Sequence, residues 1–591
     1  MSRTFENQGL KKSGKSRAVT QMAQLIALLQ ANPKVGDIFG NVKLVERLAK
    51  LAAEKGAGMA ITPELIISGY PPRDLLLQPD FVNQCYNAGK EINSQIPLLV
   101  GSPLPSEPRQ RPGNGVIRCG NGEGGREVTR KQLLPTYDVF DELRYFSPDN
   151  RPGIVRSMSG LDFGVTICED AWQHAGLVPS DYEVDPISQL AGWTGQGVAE
   201  KGGDRVLVAR CAAETLDHPF LLCNQVGGND DLLFDGRSVA AWPDGTCVQA
   251  PAWCEGFLLV DLDEPNNCEW HCLEDSDCIN HGMCDLNRND GNNEIIATES
   301  FKEPLSSSDL LNAVSVGLRD YCKKTGLEHI VLGLSGGIDS AVAASVAVRA
   351  LGPNRVTGLL MPSRYSSEHS VVDAKATAEA LGCEWMEYPI ETMHSAAETI
   401  LALELENGDA VAAENIQARL RGLLVMGIAN ARGAMAIATG NKSELGQGFC
   451  TLYGDMAGGY APLGDLWKTE VYAIAGAINL EYESQGRPLP INNSTLNKAP
   501  SAELAPDQRD DQILPPYEIL DEILRCYIEE NLSESDIVLR GFTKEIVRSV
   551  LERLAKTEHK RWQMPPAPRV SRRAFGQGWR QPLAAKHNWR N

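Results

Sequence analysis

The sequence lacks any basic excess. Its 591 residues carry 56 lysines and arginines against 77 acidic residues, a net charge of −21, which argues against a nucleic acid or an anionic membrane surface as the main partner. It also lacks a long apolar run. No uninterrupted stretch reaches the ~18 residues of a membrane span, and even the segment from Leu423 to Ala438 is broken by Asn430 and Arg432. The fifteen cysteines are scattered and form no obvious disulfide framework, which favours a reducing, cytoplasmic setting. Lys11, Lys12, Lys15 and Arg17 precede the apolar run Leu25 to Leu29, but that run is short and no small-residue cleavage pattern follows it. Residues 1–21 are therefore expected to be a disordered basic tail. Leu25 to Leu29 is expected to be a first core strand that leads into the turn Gln30-Ala31-Asn32-Pro33.

What is present divides the chain in two. From residue 22 to 265 short apolar strands alternate with helical patterns; Gly58 to Thr62, Ile96 to Val100, Leu161 to Cys168 and Phe220 to Asn224 read as strands. The alternation restarts at 306 and continues to 591, with strands at Ile330 to Leu334, Val356 to Met361 and Ala434 to Thr439. Residues 266–305 between them are rich in Asp, Asn, Glu and Cys and poor in aliphatics, as in a linker or an insert. Cys268, His271, Cys272, Cys278, His281 and Cys284 crowd into seventeen positions there. Thiolates and imidazoles so close could hold zinc, yet the spacing fits no standard finger, and a metal-free reduced loop is the expectation. The run Asp285, Asn287, Asn289 has Asp290 where a calcium loop needs glycine.

The sharpest motif is Ser335-Gly336-Gly337-Ile338-Asp339-Ser340, between an apolar strand and the small-residue stretch Ala341 to Leu351. A glycine-rich turn at a helix start offers unpaired N–H groups and the positive end of the helix dipole, an anion site suited to phosphates. No lysine of the Walker type closes the motif, which points away from γ-phosphate transfer. The loop resembles that of the ATP pyrophosphatase family, which holds β,γ-pyrophosphate as a leaving group while AMP is transferred. The segments Glu414 to Arg421, Thr439 to Glu444, Thr451 to Met456, Pro500 to Leu504 and Glu558 to Arg561 further resemble motifs of the NAD synthetases.

In the first half, Glu64 follows the strand ending Ile61-Thr62, Lys131 precedes Leu134 to Glu142, and Cys168 closes Gly164 to Ile167. In this order they resemble the Glu-Lys-Cys triad of the nitrilase, or carbon–nitrogen hydrolase, superfamily. That implies an α/β chain with an N-terminal α-β-β-α sandwich, followed by a Rossmann-like domain with a parallel sheet flanked by helices. Together the halves are similar to the glutamine-dependent NAD(+) synthetase family. The resemblance implies Cys168 as nucleophile on glutamine, Glu64 as general base and Lys131 as oxyanion stabiliser. It places Tyr137, Glu169, Trp172 and Lys201 around glutamine. Related glutaminase domains carry an Asn-x-Ser-x-Ser-Pro-like segment where this chain has Ala191 to Gln196, so part of that pocket departs from the pattern.

For the second half the resemblance implies ATP at Ser335, Gly336, Gly337, Ile338, Asp339, Ser340, Thr439 and Lys468, and deamido-NAD at Asn415, Glu444 and Lys560. Asp339 and Glu444 would hold Mg²⁺, whose preference is for hard oxygens. The expected partners are the small molecules deamido-NAD, ATP and glutamine, with an internal ammonia tunnel and a homo-oligomer built on a synthetase-domain dimer. Other readings remain open: another amidotransferase of the ATP pyrophosphatase family, a carbon–nitrogen hydrolase with a nucleotide-sensing module, or a metal-binding interaction protein organised by the cysteine-rich segment.

Overall fold

A computed structural model of the chain describes residues 25–150, 153–158, 161–172, 185–189, 198–273, 305–408, 410–501, 503–506 and 508–586. The first apolar run forms Leu25–Gln30, which pairs antiparallel with Gly256–Asp261 and parallel with Met59–Ile61. Around it lies a seven-stranded sheet in the order Glu269–Cys272, Gly256–Asp261, Leu25–Gln30, Met59–Ile61, Leu98–Leu104, Gly113–Gly120, Glu123–Arg130. Successive side chains of a strand point to opposite faces, and the burial follows that rule. Ile26 and Leu28 face a second sheet, whereas Ala27 and Leu29 pack with Val45, Leu48 and Ala52 of the helix Ile38–Glu54.

The second sheet has six strands: Cys247–Gln249, Val239–Ala241, Phe220–Cys223, Asp185–Gln189, Leu161–Ile167, Gly153–Met158. Phe163, Val165 and Ile167 join Ile26, Leu28 and Leu99 in one apolar cluster, and Val206, Ala209 and Ala213 of the helix Val198–Leu216 complete it. Two sheets face to face with helices outside make the α-β-β-α sandwich.

The sandwich does not stop at residue 265. Glu269–Cys272 is its edge strand, Cys268 is buried in the cluster between the sheets, and the His271 ring stacks on Phe257 at 4.9 Å. His271 and Cys272 are therefore strand residues and Cys268, just before the strand, is a core residue, which corrects their assignment to a loop. Cys278, His281 and Cys284 lie outside the described residues, as does the tail 1–21.

The second domain is built on a four-stranded parallel sheet, ordered Glu384–Glu387, Val356–Leu360, Ile330–Gly333, Met435–Ala436. Ile330 and Leu332 point toward the helices Ser307–Thr325, Ile338–Leu351 and Lys468–Ser484; Val331 points the other way, toward Val425 and Ala429 of Ala410–Arg432. Helices Tyr517–Ile528, Glu534–Leu539 and Lys544–Lys556 form a further cluster behind it. No helix among the described residues is long and apolar enough to cross a membrane.

Candidate active sites

Glu64 stands just past Met59–Ile61, where its backbone presses on the next strand. A Cβ on Gly101 would be 2.5 Å from both Leu65 N and Pro63 O, so only glycine allows this approach. Glu64 is 1 % exposed and Lys131 0 %. Lys131 Nζ is 3.0 Å from Glu64 Oε1 and 2.8 Å from Glu142 Oε2. Asn114 donates from Nδ2 to Glu64 Oε1, and the Tyr70 hydroxyl donates to Glu142 Oε1 at 3.1 Å. Glu64 Oε2 is buried without a hydrogen-bond partner, which leaves one carboxylate oxygen available to take a proton.

Cys168 is buried at the turn between Leu161–Ile167 and the short helix Glu169–Trp172, with φ of 50°. A non-glycine residue in the left-handed region is uncommon and strained. Here it turns the chain sharply at the end of the strand. The turn is tied to the Lys131 segment by Asp170, whose carboxylate accepts from Leu133 N at 2.8 Å, Gln132 N at 3.1 Å and Ile167 N at 3.3 Å. Burial raises the Asp170 carboxyl to about 6, with the Leu133 N–H opposing.

Burial pushes the Cys168 thiol well above its ordinary range, while Lys131 pulls it down and Glu64 and Glu142 push it further up. The resting sulfur is accordingly a thiol that needs a base. Burial opposes the charge on Lys131, but Cys168 once ionised, Glu142 and Glu64 outweigh it and raise the ammonium. Burial raises Glu142, with Lys131 opposing and Glu64 adding to the rise.

Tyr137 donates from its hydroxyl to Glu169 Oε2 at 2.7 Å at the exposed edge of this site. Trp172 ends the short helix and Lys201 lies near the start of Val198–Leu216; the segment 191–196 is outside the described residues. Sequence reasoning did not single out Glu142, Asn114, Tyr70 or Asp170. Glu142 closes the segment that follows Lys131, and that position was the available signal; Asn114 and Tyr70 carried none.

In the second domain the loop Ser335 to Ser340 folds on itself: the Ser335 and Ser340 hydroxyls are 3.1 Å apart, and Gly337 N donates to Ser335 Oγ at 3.2 Å. Gly336 has φ of 79°, and a Cβ there would be 2.2 Å from Ser370 O. The loop opens into the N-terminus of Ile338–Leu351, where an anion is favoured. Lys468 occupies the place of positive charge: its ammonium pairs with Asp339 and lies 3.5 Å from Glu444 Oε1. Asn441 caps the helix Lys442–Gln447, accepting from Glu444 N at 3.0 Å, and also donates to Asp339 Oδ1 at 2.8 Å. Its backbone N donates to Glu444 Oε2 at 3.3 Å, so one residue contacts both carboxylates. Burial raises Glu444 and the Asp339 charge adds to the rise, with Lys468 opposing.

Ser335, Asp339, Ser340, Thr439, Glu444 and Lys468 line a cavity of about 290 Å³. Its wall also includes Arg421, Asp455, Lys498, Glu503 and Asp510, from or beside the segments that carry the resemblance but not assigned from sequence. Asn415 and Lys560 are not in that wall. Asn415 Oδ1 accepts from Thr451 Oγ1 at 2.7 Å, and Lys560 Nζ donates to the carbonyls of Gly448 and Cys450 at 2.7 and 2.6 Å. Both brace the segment behind the cavity.

Residues 25–270 match the carbon-nitrogen hydrolase family and residues 310–565 the NAD synthase family. The chain is 37% identical over 583 residues to a glutamine-dependent NAD(+) synthetase of Synechocystis sp. (strain ATCC 27184 / PCC 6803 / Kazusa), covering 95% of this chain and 98% of that protein. With the glutamine-dependent NAD(+) synthetase of Thermotoga maritima it is 36% identical over 588 residues, covering 94% and 98%. Among solved structures, the glutamine-dependent NAD+ synthetase from Acinetobacter baumannii in complex with ADP superposes with a TM-score of 0.68 at 31% identity, over 95% of this chain and 98% of that one. A glutamine-dependent NAD(+) synthetase from Cytophaga hutchinsonii shares the fold at 20% identity and a TM-score of 0.72, over 95% and 98%.

Proposed function

The chain belongs to the glutamine-dependent NAD(+) synthetases, and from that premise we propose how its residues divide the reaction. Glu64 takes the Cys168 proton through its unpartnered Oε2, and the thiolate attacks the side-chain carbonyl of glutamine. Lys131, kept cationic by its carboxylates, stabilises the oxyanion of the tetrahedral intermediate. Glu64 then passes a proton to the departing ammonia and, in the second step, activates water to release glutamate from the thioester. The same reading assigns Tyr137, Glu169, Trp172 and Lys201 to glutamine binding.

In the second domain ATP adenylylates the carboxylate of deamido-NAD, because a free carboxylate is a poor electrophile and AMP a good leaving group. Ammonia then displaces AMP. The loop from Ser335 to Ser340, with Thr439 and Lys468, holds ATP and the departing pyrophosphate; Glu444 borders deamido-NAD, with Asn415 and Lys560 supporting that side. Asp339 and Glu444 fit Mg²⁺: two hard carboxylates on the cavity wall, one pushed up by burial and by the other. When bound, the ion neutralises phosphate charge.

A protonated ammonia is no nucleophile, so the reading includes a sheltered internal route between the sites. It also includes a homo-oligomer built on a synthetase-domain dimer, supported by Leu423 and Met426 standing 62% and 37% exposed on Ala410–Arg432. A cytoplasmic setting belongs to the same reading.

The observation that carries the proposal is the pairing, in one chain, of the buried Lys131–Glu64–Glu142 group beside Cys168 with the Asp339–Glu444–Lys468 cavity. Purified protein given deamido-NAD, ATP, Mg²⁺ and glutamine should form NAD, AMP, pyrophosphate and glutamate in equal amounts. ADP and phosphate as products, or glutamate without NAD, would contradict it.

A further inference from the structure

The two halves meet through a hairpin that belongs to neither large sheet. Val226–Asn229 pairs antiparallel with Leu232–Asp235 as a two-stranded sheet of its own. One side of the hairpin is built into the synthetase half. Leu233 lies in that half's core, and a Cβ on Gly228 would come within 3.2 Å of Gly317 Cα in the helix Ser307–Thr325. The other side reaches the glutaminase site. Phe234 packs edge-on against the Tyr70 ring, with centroids 6.1 Å apart, and Asn229 Nδ2 donates to the Tyr70 carbonyl at 2.8 Å. The hydroxyl of the same Tyr70 donates to Glu142, the second carboxylate on Lys131.

Lys324, in the last turn of Ser307–Thr325, enters this hairpin from the synthetase half. The residue is partly exposed, but its ammonium is ringed by oxygens. Four acceptors lie within hydrogen-bond distance of its three N–H donors: Asn229 Oδ1 at 2.7 Å, Asn32 Oδ1 at 2.7 Å, Gly228 O at 2.8 Å and Pro33 O at 2.9 Å. An amide has one acceptor end and one donor end, and an ammonium offers only donors. With Lys324 against Oδ1, the Asn229 amide has one orientation left, the one that aims its N–H₂ at Tyr70. Two hydrogen bonds therefore run from the synthetase helix to the backbone of the residue whose hydroxyl holds Glu142.

We propose that Lys324 is a positioning residue of the glutaminase: by fixing the Asn229 amide it holds Tyr70 where its hydroxyl orients Glu142 and, through it, Lys131. This rests on the assignment of Glu64, Lys131 and Cys168 to glutamine hydrolysis. The glutaminase site is then complete only while the hairpin is seated on the synthetase helix.

The test is steady-state kinetics on the full chain, with glutamine and with ammonium as nitrogen source, for Lys324→Met, Asn229→Asp, Tyr70→Phe and the double variant K324M/Y70F. Asn229→Asp keeps an acceptor for Lys324 and removes the donor to Tyr70. Each single change should lower kcat with glutamine by about tenfold at a glutamine KM within about twofold, and ammonium-driven synthesis should stay within about twofold of the parent. Because Lys324 acts through Tyr70, the double variant should be no slower than Y70F alone. Losses that multiply in the double variant, an unchanged glutamine kcat in K324M or N229D, or equal loss with both nitrogen sources alongside a lowered Tm would each overturn the proposal. Cys168→Ala separates it from its premise: if that variant keeps glutamine-dependent synthesis, the site assignment fails whatever Lys324 does.

Discussion

At the scale of single residues, Lys131 is held by two carboxylates, and removing either leaves a buried ammonium short of charge. Breaking a buried pair by removing one partner costs about 3–5 kcal/mol, so Glu142→Gln should lower the melting temperature as well as the glutaminase rate. Ammonium-driven synthesis, measured at a temperature where the variant is folded, should be retained; loss of both would mean that Glu142 serves the whole fold rather than Lys131. Asp339→Asn differs in kind. It removes a charge from the cavity used by either nitrogen source, and both activities should fall together, by about 10²-fold or more if the charge acts in the transition state. A variant that still formed adenylate normally would remove Asp339 from the site. Glu64, Lys131 and Cys168 were legible in the sequence because each stands at or near a strand end in a distinctive local context. Tyr70, beside Gly69 and ahead of Pro71 and Pro72, reads as a turn residue, and nothing local announces that the fold buries its hydroxyl against Glu142.

At the scale of elements, the loop after Ile330–Gly333 depends on one glycine more than on its hydroxyls. Gly336 is in the left-handed region, and a methyl group would meet the carbonyl of Ser370 at 2.2 Å. Gly336→Ala should therefore cost about 1–3 kcal/mol and raise the KM for ATP; an unchanged Tm and KM would show that the loop relaxes freely. The strands Leu25–Gln30, Ile330–Gly333 and Val356–Leu360 were readable as apolar runs, since a strand buried on both faces has little else to show. Glu269–Cys272 was not, because an edge strand of Glu, Trp, His and Cys looks like the acidic segment beside it. Cys268, the buried residue just before it, now carries a prediction. Cys268→Asp should lower Tm more than Cys272→Asp, since Cys268 is 3% exposed in the core between the sheets and an unpaired carboxylate is costly there. Equal small effects at both positions would return residue 268 to a solvent-facing loop. The hairpin at 226–235 was equally opaque: Gly-Gly-Asn-Asp-Asp reads as a surface turn, and it is covered only because the other half of the chain packs on it.

At the scale of the whole molecule, the halves are joined by charge as well as by packing. Desolvation lowers the Lys324 ammonium from its ordinary 10.5 to about 8. The unfolded chain keeps that proton up to 10.5 while the folded one releases it from about 8, so between these values the unfolded state binds more protons and this lysine makes stability rise with pH. Below 8 both states are protonated and the desolvation penalty is borne in full. Relative to the parent, the Tm of Lys324→Met should lose that rise between pH 8 and 10.5, and parallel pH curves for the two proteins would contradict it. Arg569, 1% exposed, forms two hydrogen bonds at 2.7 and 2.8 Å with Asp138, the residue after Tyr137, and its backbone N donates to Asp231 O in the hairpin turn at 2.8 Å. The second half thus touches the first at the hairpin and beside Tyr137, although the chemistry of each half stays with its own residues. The central claim is that division of labour, and Cys168→Ala assayed side by side with the two nitrogen sources tests it most directly. The account predicts that glutamine-dependent NAD formation disappears while ammonium-dependent formation persists at the parent rate; equal loss with both sources in a folded protein would contradict it.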